Sequence, residues 1–370
     1  MNEYLKVYQF ELKTLTPLFI GSGGTIGKKD YLYDRNRNQI LLVDMRRMFD
    51  GLQKLRLLEA YERYVLQPCK DLYAFLKENN IDRKESNQWI RAVEDVADHD
   101  LIDRNTKPIL TFMKDSYGNP YIPGSSIKGL MRTILASSAI MERENVRSEL
   151  AVKVKNAQVV SRRKYLQDED RLADYRIFHK NLHEDKALEN EVNDTMAGFI
   201  IGDSQPLKPS DLCICQKVDM TVEGEARRLP ILRECLKPGI SVRFQITIDT
   251  KVCPFTIEIL KKAIGQFADN YESEFLNGFK NYPVVLAKEP IVYMGGGTGY
   301  PTKTVTYSVF SGREGVNQVS KILDATINPK DRRKHDHVHD INKGVSPHML
   351  KCTIYHDKVM QMGACEVKQI

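Results

Sequence analysis

Residues 121–135 read YIPGSSIKGLMRTIL. Pro123-Gly124 breaks the chain, and Ser125 or Ser126 stands where a side-chain oxygen can cap a helix. Ile127, Leu130, Met131, Ile134 and Leu135 recur at helical spacing and predict one apolar stripe. Lys128 and Arg132 fall one turn apart on another face. Free N–H groups at a helix start, with two cations beside them, suit an anion. The plainer alternative is a capped core helix.

Upstream, Tyr8, Phe10 and Leu12 alternate before Thr16-Pro17, which predicts a first strand. GSGGTIGKKD, residues 21–30, carries four glycines among polar neighbours and is expected to be a flexible loop rather than an element. Asp44 can cap a helix bearing Met45, Met48, Phe49, Leu52 and Leu55. Pro68 interrupts the pattern, and Leu72, Phe75 and Leu76 resume it. A third helix is expected around Trp89 and Val93, so that residues 44–100 form a helical block.

Downstream, residues 141–195 are polar, with Arg162, Arg163, Lys164 and Arg171 prominent, and read as long loops with short helices. Phe199 to Gly202 has strand character, and Val242, Phe244, Ile246 and Ile248 alternate as a half-buried strand. Between them, Glu223-Gly224-Glu225 and the pair Arg227-Arg228 suggest a projecting hairpin. Leu260, Ile264 and Phe267 mark an amphipathic helix over 255–268. A second glycine loop follows, with Gly295, Gly296, Gly297 and Gly299 ahead of Lys303.

The remaining chemistry is sparse. The first loop misses the P-loop pattern, with Ser22 where glycine is needed and Lys29 in place of the magnesium-binding hydroxyl. Glycine nests nevertheless let backbone N–H groups approach phosphates, through Gly21, Gly23, Gly24 and Lys28 in one loop and the 295–299 run in the other. His335, His337 and His339 alternate, so in a strand they would point one way and could ligate a metal; their charged neighbours suggest a solvated loop instead. No metal or cofactor is assigned. The seven cysteines form no CxxC pair, and Cys213 and Cys215 read as core thiols of a cytoplasmic protein. Lys and Arg exceed Asp and Glu by 55 − 49 = 6, a mild bias that permits nucleic-acid binding through local patches. No apolar run approaches the roughly 18 residues of a membrane span, and MNEYLKVYQF lacks signal-peptide character.

Several segments together resemble the RAMP superfamily of CRISPR-associated proteins. LKTLTPLFIGSG is similar to its first strand and loop, and YIPGSSIKGLMRTIL to its signature loop and helix. FIIGDSQP, LPILRECLKPGISVRFQITI and VYMGGGTGYPTKT resemble the strand before the thumb, the returning thumb arm and the late glycine loop. The helical block and Pro301-Thr302-Lys303-Thr304 are similar to the fifth-subunit family of type III-A Csm complexes.

The resemblance implies an α+β fold: a modified RRM (ferredoxin-like) core with a helical insertion and a thumb-like hairpin. It divides the chain into 1–43 (first strand and glycine loop), 44–105 (insertion), 106–250 (core and thumb) and 251–370 (C-terminal region). It also implies a non-catalytic, RNA-binding ribonucleoprotein subunit in antiviral defence. Such a subunit caps the backbone filament near the 3′ end of crRNA and is needed for crRNA maturation. Its implied partners are crRNA, the backbone RAMP subunits, the large signalling and nuclease subunit, the small subunit, and host nucleases that trim crRNA. The expected RNA contacts are the glycines above with Lys28, Ser125, Ser126, Lys128, Arg132, Arg162, Arg163, Arg227, Arg228 and Lys303. The alternative is a metal-dependent ribonuclease that trims crRNA. In the family's backbone subunits an Asp after the first strand cleaves target. Asp30 falls near that place, but its flanks Lys28, Lys29 and Tyr31 differ, and no nuclease role is assigned.

Overall fold

Alternation makes the first strand. Along β1 (Leu5–Thr14), Phe10 and Leu12 point inward while Gln9 and Lys13 face out. The computed structural model describes residues 3–68, 70–98, 107–331 and 335–370. After β1 come β2 (Gly21–Ile26), β3 (Tyr31–Asp34), β4 (Gln39–Val43), α1 (Met45–Lys54), α2 (Leu58–Val65), α3 (Leu72–Glu78), α4 (Arg83–Asn87), β5 (Ile90–Val96) and β6 (Ile109–Phe112). The middle of the chain holds α5 (Gly124–Glu142), α6 (Glu144–Asn156), α7 (Gln167–Phe178), β7 (Phe199–Ile201), β8 (Leu212–Thr221), β9 (Ala226–Leu236) and β10 (Ser241–Asp249). The last third holds α8 (Ile257–Glu274), β11 (Ile291–Tyr293), α9 (Thr306–Val309), α10 (Gly312–Thr326), α11 (Asp340–Lys343), β12 (Met349–Tyr355), β13 (Lys358–Gln361) and β14 (Ala364–Gln369).

The fold is mixed α+β, with two sheets. The first runs β11-β14-β1-β10-β7, and every pair in it is antiparallel. Its inner face, with Phe10, Leu12, Phe244 and Ile246, meets the stripe Ile127, Met131 and Ile134 of α5 and Leu260, Ile264 and Phe267 of α8 in one core. The second runs β2-β6-β9-β8-β5-β4-β3, with β12 joined to β8 and β13 to β12.

Several expectations are corrected. Gly21–Ile26 is a strand, because β6 offers it a partner edge, and a register shift between Gly21 and Thr25 absorbs the glycines. Trp89 and Val93 do not form a helix. Trp89 plugs the helical block, and Ile90–Val96 is a strand between β4 and β8. Residues 141–195 hold two helices, α6 and α7, rather than mainly loops. The hairpin does not project: β9 is flanked by β8 and β6, and β8 is also paired to β5 and β12. His337–His339 is a single 3-10 turn, not a strand; the His335 and His337 rings stack 6.1 Å apart, while His337 is buried and His339 exposed. Cys69 and Arg332 to Lys334 lie outside the described residues, as does the end of the expected insertion at 105. The six described cysteines are buried and free, Cys213 and Cys215 among them.

The helical block closes on the chain's single tryptophan. A Cβ on Gly51 of α1 would lie 2.3 Å from Trp89 Nε1, so Gly51→Ala is expected to cost roughly 1–3 kcal/mol by overpacking. Trp89 is the one tryptophan present, so intrinsic fluorescence reads this block directly. An unchanged emission maximum and denaturation midpoint would show that the contact relaxes freely.

Candidate nucleic-acid interface

The signature helix is built on the strand that precedes the hairpin. A Cβ on Gly124 would stand 2.3 Å from the Ile201 carbonyl oxygen, so α5 starts in close contact with β7. Pro123, not a serine, holds the N-cap position, and no side chain caps from there. Asp203 does that work from across the fold: its Oδ1 accepts the Gly124 N–H at 2.8 Å, while Ser204 Oγ accepts the Ile122 N–H at 2.9 Å. An internal carboxylate thus already meets the positive end of α5. Ser125 and Ser126 lie in its first turn, not at its cap.

Lys128 and Arg132 are tied inward. Lys128 Nζ donates to the Met196 carbonyl at 2.7 Å, and burial pushes its pKa down. Arg132 pairs with Asp194 at 2.8 Å and Asp174 at 3.1 Å, and its guanidinium covers the Phe178 ring at 4.2 Å. Both side chains hold α5 to the segment before β7.

The two glycine segments meet around Phe19. Gly296 N–H donates to the Phe19 carbonyl at 2.7 Å, and a Cβ on Gly21 would sit 3.0 Å from the Phe19 ring. Gly295 has φ +85°, and a Cβ there would lie 2.3 Å from the Phe19 carbonyl oxygen. These glycines therefore admit the protein's own backbone. Between them and α5 opens a cleft of about 310 Å³, lined by Gly21, Ser126, Gly129, Thr133, Gly295, Gly296 and Lys303 among others. It joins five of the residues expected from sequence: Gly21, Ser126, Gly295, Gly296 and Lys303.

Behind the loop lies a cation cluster that motif reading does not find. Arg233 of β9 stands under Gly297 (φ +87°), whose Cβ would fall 2.3 Å from Arg233 Nη1, and its guanidinium covers the Phe19 ring at 5.3 Å. Arg233 Nε and Nη1 are buried with no hydrogen-bond partner among the described residues. Burial pushes the pKa of Arg233 down. Burial and then Lys351 do the same for Lys217, and burial and then Arg233 for Lys303. Lys351 Nζ donates to Asp219 Oδ2 at 2.9 Å, and Lys217 Nζ lies 4.0 Å from Asp219 Oδ1, too far to bond that buried oxygen. Three cations, Lys217, Lys351 and Arg233, thus gather around one carboxylate, and Lys303 lies near Arg233. Gly299 borders the cluster at Lys351 Cγ. An under-compensated, partly desolvated cation group with N–H donors to spare is suited to an oxyanion such as phosphate.

The other expected contacts lie elsewhere. Gly23 and Gly24 are exposed on β2. Lys28 is half-buried in the turn beyond it, where Asp30 Oδ2 accepts the Gly27 N–H at 2.9 Å. Arg162 and Arg163 are exposed between α6 and α7. On the hairpin, Arg227 lies 3.5 Å from Glu225, and Arg228 pairs with the buried Asp98 at 2.9 Å.

Comparison with known proteins agrees with this architecture. The chain is 28% identical over 392 residues to the CRISPR system Cms protein Csm5 of Mycobacterium tuberculosis (strain CDC 1551 / Oshkosh), covering 99% of this chain and 98% of that one. It is 26% identical to the Csm5 of Enterococcus italicus, covering 97% and 96%. A chain in the cryo-EM structure of a Csm–crRNA–target RNA ternary complex from a type III-A CRISPR-Cas system has the same fold, with TM-score 0.66 at 18% identity over 98% of this chain and all of that one. The RAMP superfamily model matches residues 11–300, and the chain belongs to that superfamily.

Proposed function

We propose that the chain is a crRNA-binding, Csm5-type subunit of a type III-A effector complex, and that it caps the backbone filament near the 3′ end of the crRNA. The observation that carries this reading is the cation group of Arg233, Lys217, Lys303 and Lys351 beside the glycine loop, with Arg233 N–H groups that have no partner among the described residues. Contacts of this kind grip a phosphate backbone without reading bases, which suits a guide holder because base pairing reads the sequence. The relatives named Csm5, matched along nearly their whole length, support the place in the complex.

The first sheet supports a modified ferredoxin-like core. In chain order its elements run β1, α5, β7, β10, α8, β11, with β14 set between β11 and β1. The β8–β9 hairpin then occupies the thumb position between β7 and β10, and α1–α4 form the helical insertion. An inserted block gives the filament end a face that a plain repeat subunit lacks. Exposed Phe49, Leu66 and Tyr73 on that block leave apolar surface for a neighbour. Backbone, large and small subunits of the complex are the partners this reading gives it, with trimming left to host nucleases.

Catalysis is assigned to other subunits. Asp30 closes its own turn on Gly27, and Asp30→Ala is expected to leave target cleavage by the reconstituted complex unchanged. The capping role is tested by crRNA length. Complexes purified without the protein should carry guides of undefined or longer intermediate length, because covered nucleotides resist trimming. Normal mature lengths in its absence would overturn the role. No helix among the described residues is long and apolar enough to cross a membrane.

A further inference from the structure

The histidine run conceals a second cluster. His335 and His339 are exposed, but His337 is buried and turned toward residues beyond the run. Asp340, the first residue of α11, is wholly buried. Its Oδ2 accepts from His337 Nδ1 at 2.8 Å and from Ser346 Oγ at 2.6 Å, and its Oδ1 accepts from His348 Nδ1 at 2.5 Å. The two imidazole rings lie 5.1 Å apart. One donor atom from each of the three residues falls within 4.8 Å of the other two. No lysine or arginine pairs with Asp340 among the described residues; its neighbours are the two imidazoles and a hydroxyl.

We propose that His337, Asp340 and His348 form a binding site for a divalent transition metal, zinc being the ion best suited to two imidazoles and one carboxylate. Zinc bonds to nitrogen and oxygen of about 2.0–2.1 Å set ligand–ligand edges of about 3.3 Å. The present 2.5 and 2.8 Å contacts must therefore open slightly, which small side-chain rotations allow. In each ring the proton moves from Nδ1 to Nε2 as the metal takes Nδ1. The imidazoles stay neutral, and Asp340 keeps its charge. Three protein ligands leave a fourth position for water.

The site would tie the turn after the basic run to the residue just before β12. That strand pairs with β8 and carries Lys351 of the cation cluster. Metal binding would therefore stabilise the edge of the sheet that presents the cluster.

The test uses the full chain without an affinity tag, stripped of metal and titrated with Co²⁺ and Zn²⁺ at neutral pH. One Co²⁺ per chain should bind with a dissociation constant below about 10 μM and show visible d–d absorption, and Zn²⁺ should displace it. Asp340→Asn and His348→Gln should each weaken binding about tenfold or more, whereas His339→Gln should not. Absence of saturable binding to the unaltered chain overturns the proposal, and so does binding that Asp340→Asn leaves unchanged. Should both site variants fail to fold, zinc X-ray absorption of the unaltered protein decides: scattering from two imidazoles supports the site, and its absence refutes it.

Discussion

Arg233→Met is expected to leave the protein at least as stable as before while weakening crRNA binding about 30-fold, equivalent to roughly 2 kcal/mol. The two effects separate because Arg233 is poorly paired inside the protein. Its Nε and Nη1 are buried without partners among the described residues, and its guanidinium rests on the Phe19 ring. Such a cation carries a desolvation cost that the folded chain alone does not offset. Methionine fills similar space, keeps the contact with the ring and removes that cost. An RNA phosphate would supply the missing acceptor, so the side chain stabilises the complex rather than the fold. Adding Lys303→Met should lower the salt slope of binding by about 2 in total, one per lost phosphate contact. The measurements are fluorescence anisotropy with a guide RNA across a salt series and a thermal melt of the free protein. Unaltered affinity and slope would show the cations to be structural. A melting temperature several degrees lower would show that Arg233 is already satisfied within the chain.

The parts of this architecture that could be read in advance are those whose side chains repeat at a local period. The stripe from Ile127 to Leu135 and the alternation of Val242, Phe244, Ile246 and Ile248 are buried as the periods require. Gly21–Ile26 escaped because glycines carry no side chain to alternate, and its strand character comes from β6, far along the chain. Helices α6 and α7 escaped because each buries only two residues, Val146 with Leu150 and Ile177 with Phe178, too few to mark a stripe.

The candidate site divides in the same way. Glycine loops and Lys303 stand out as motifs. Arg233, Lys217 and Lys351 sit on three different strands, and only the register of β8 against β9 and β12 brings them together. Cations on α5 were the opposite case. Their spacing was plain in the sequence, yet their partners Met196, Asp194 and Asp174 are supplied by other parts of the fold.

Strand β5 was missed for a reason with its own consequence. Its inward positions include Glu94 as well as Val96, so a buried carboxylate hides the alternation. Glu94 faces Glu234 of β9, which accepts from the Phe112 N–H at 2.8 Å and from Lys114 Nζ at 2.8 Å. Lys114 lies 3.8 Å from Glu94, and Glu94 Oε2 is buried without a partner among the described residues. Burial first, and then the neighbouring Glu234, raises the Glu94 carboxyl to about 8. In the unfolded chain it returns to the ordinary value near 4.5. Between those values the folded protein holds a proton that the unfolded chain has released, so stability falls as pH rises through the window, by at most about 1.4 kcal/mol per pH unit. Glu94→Gln keeps the shape, cannot ionise, and can still donate to Glu234. It should therefore flatten the decline in melting temperature between pH 6 and 8.5 and melt several degrees above the parent at pH 8.5, at roughly 2–4 °C per kcal/mol. Carboxylates held low, such as Asp340 at about 2, titrate far below this range and do not mask the difference. Glu234 is the strand neighbour of Arg233, and successive residues point to opposite faces. The titrating pair thus lies on the face of β9 opposite the cation cluster. Melting curves recorded in parallel over the pH series decide the matter, and parent and variant curves that run parallel from pH 6 to 8.5 would show that Glu94 does not carry the proton.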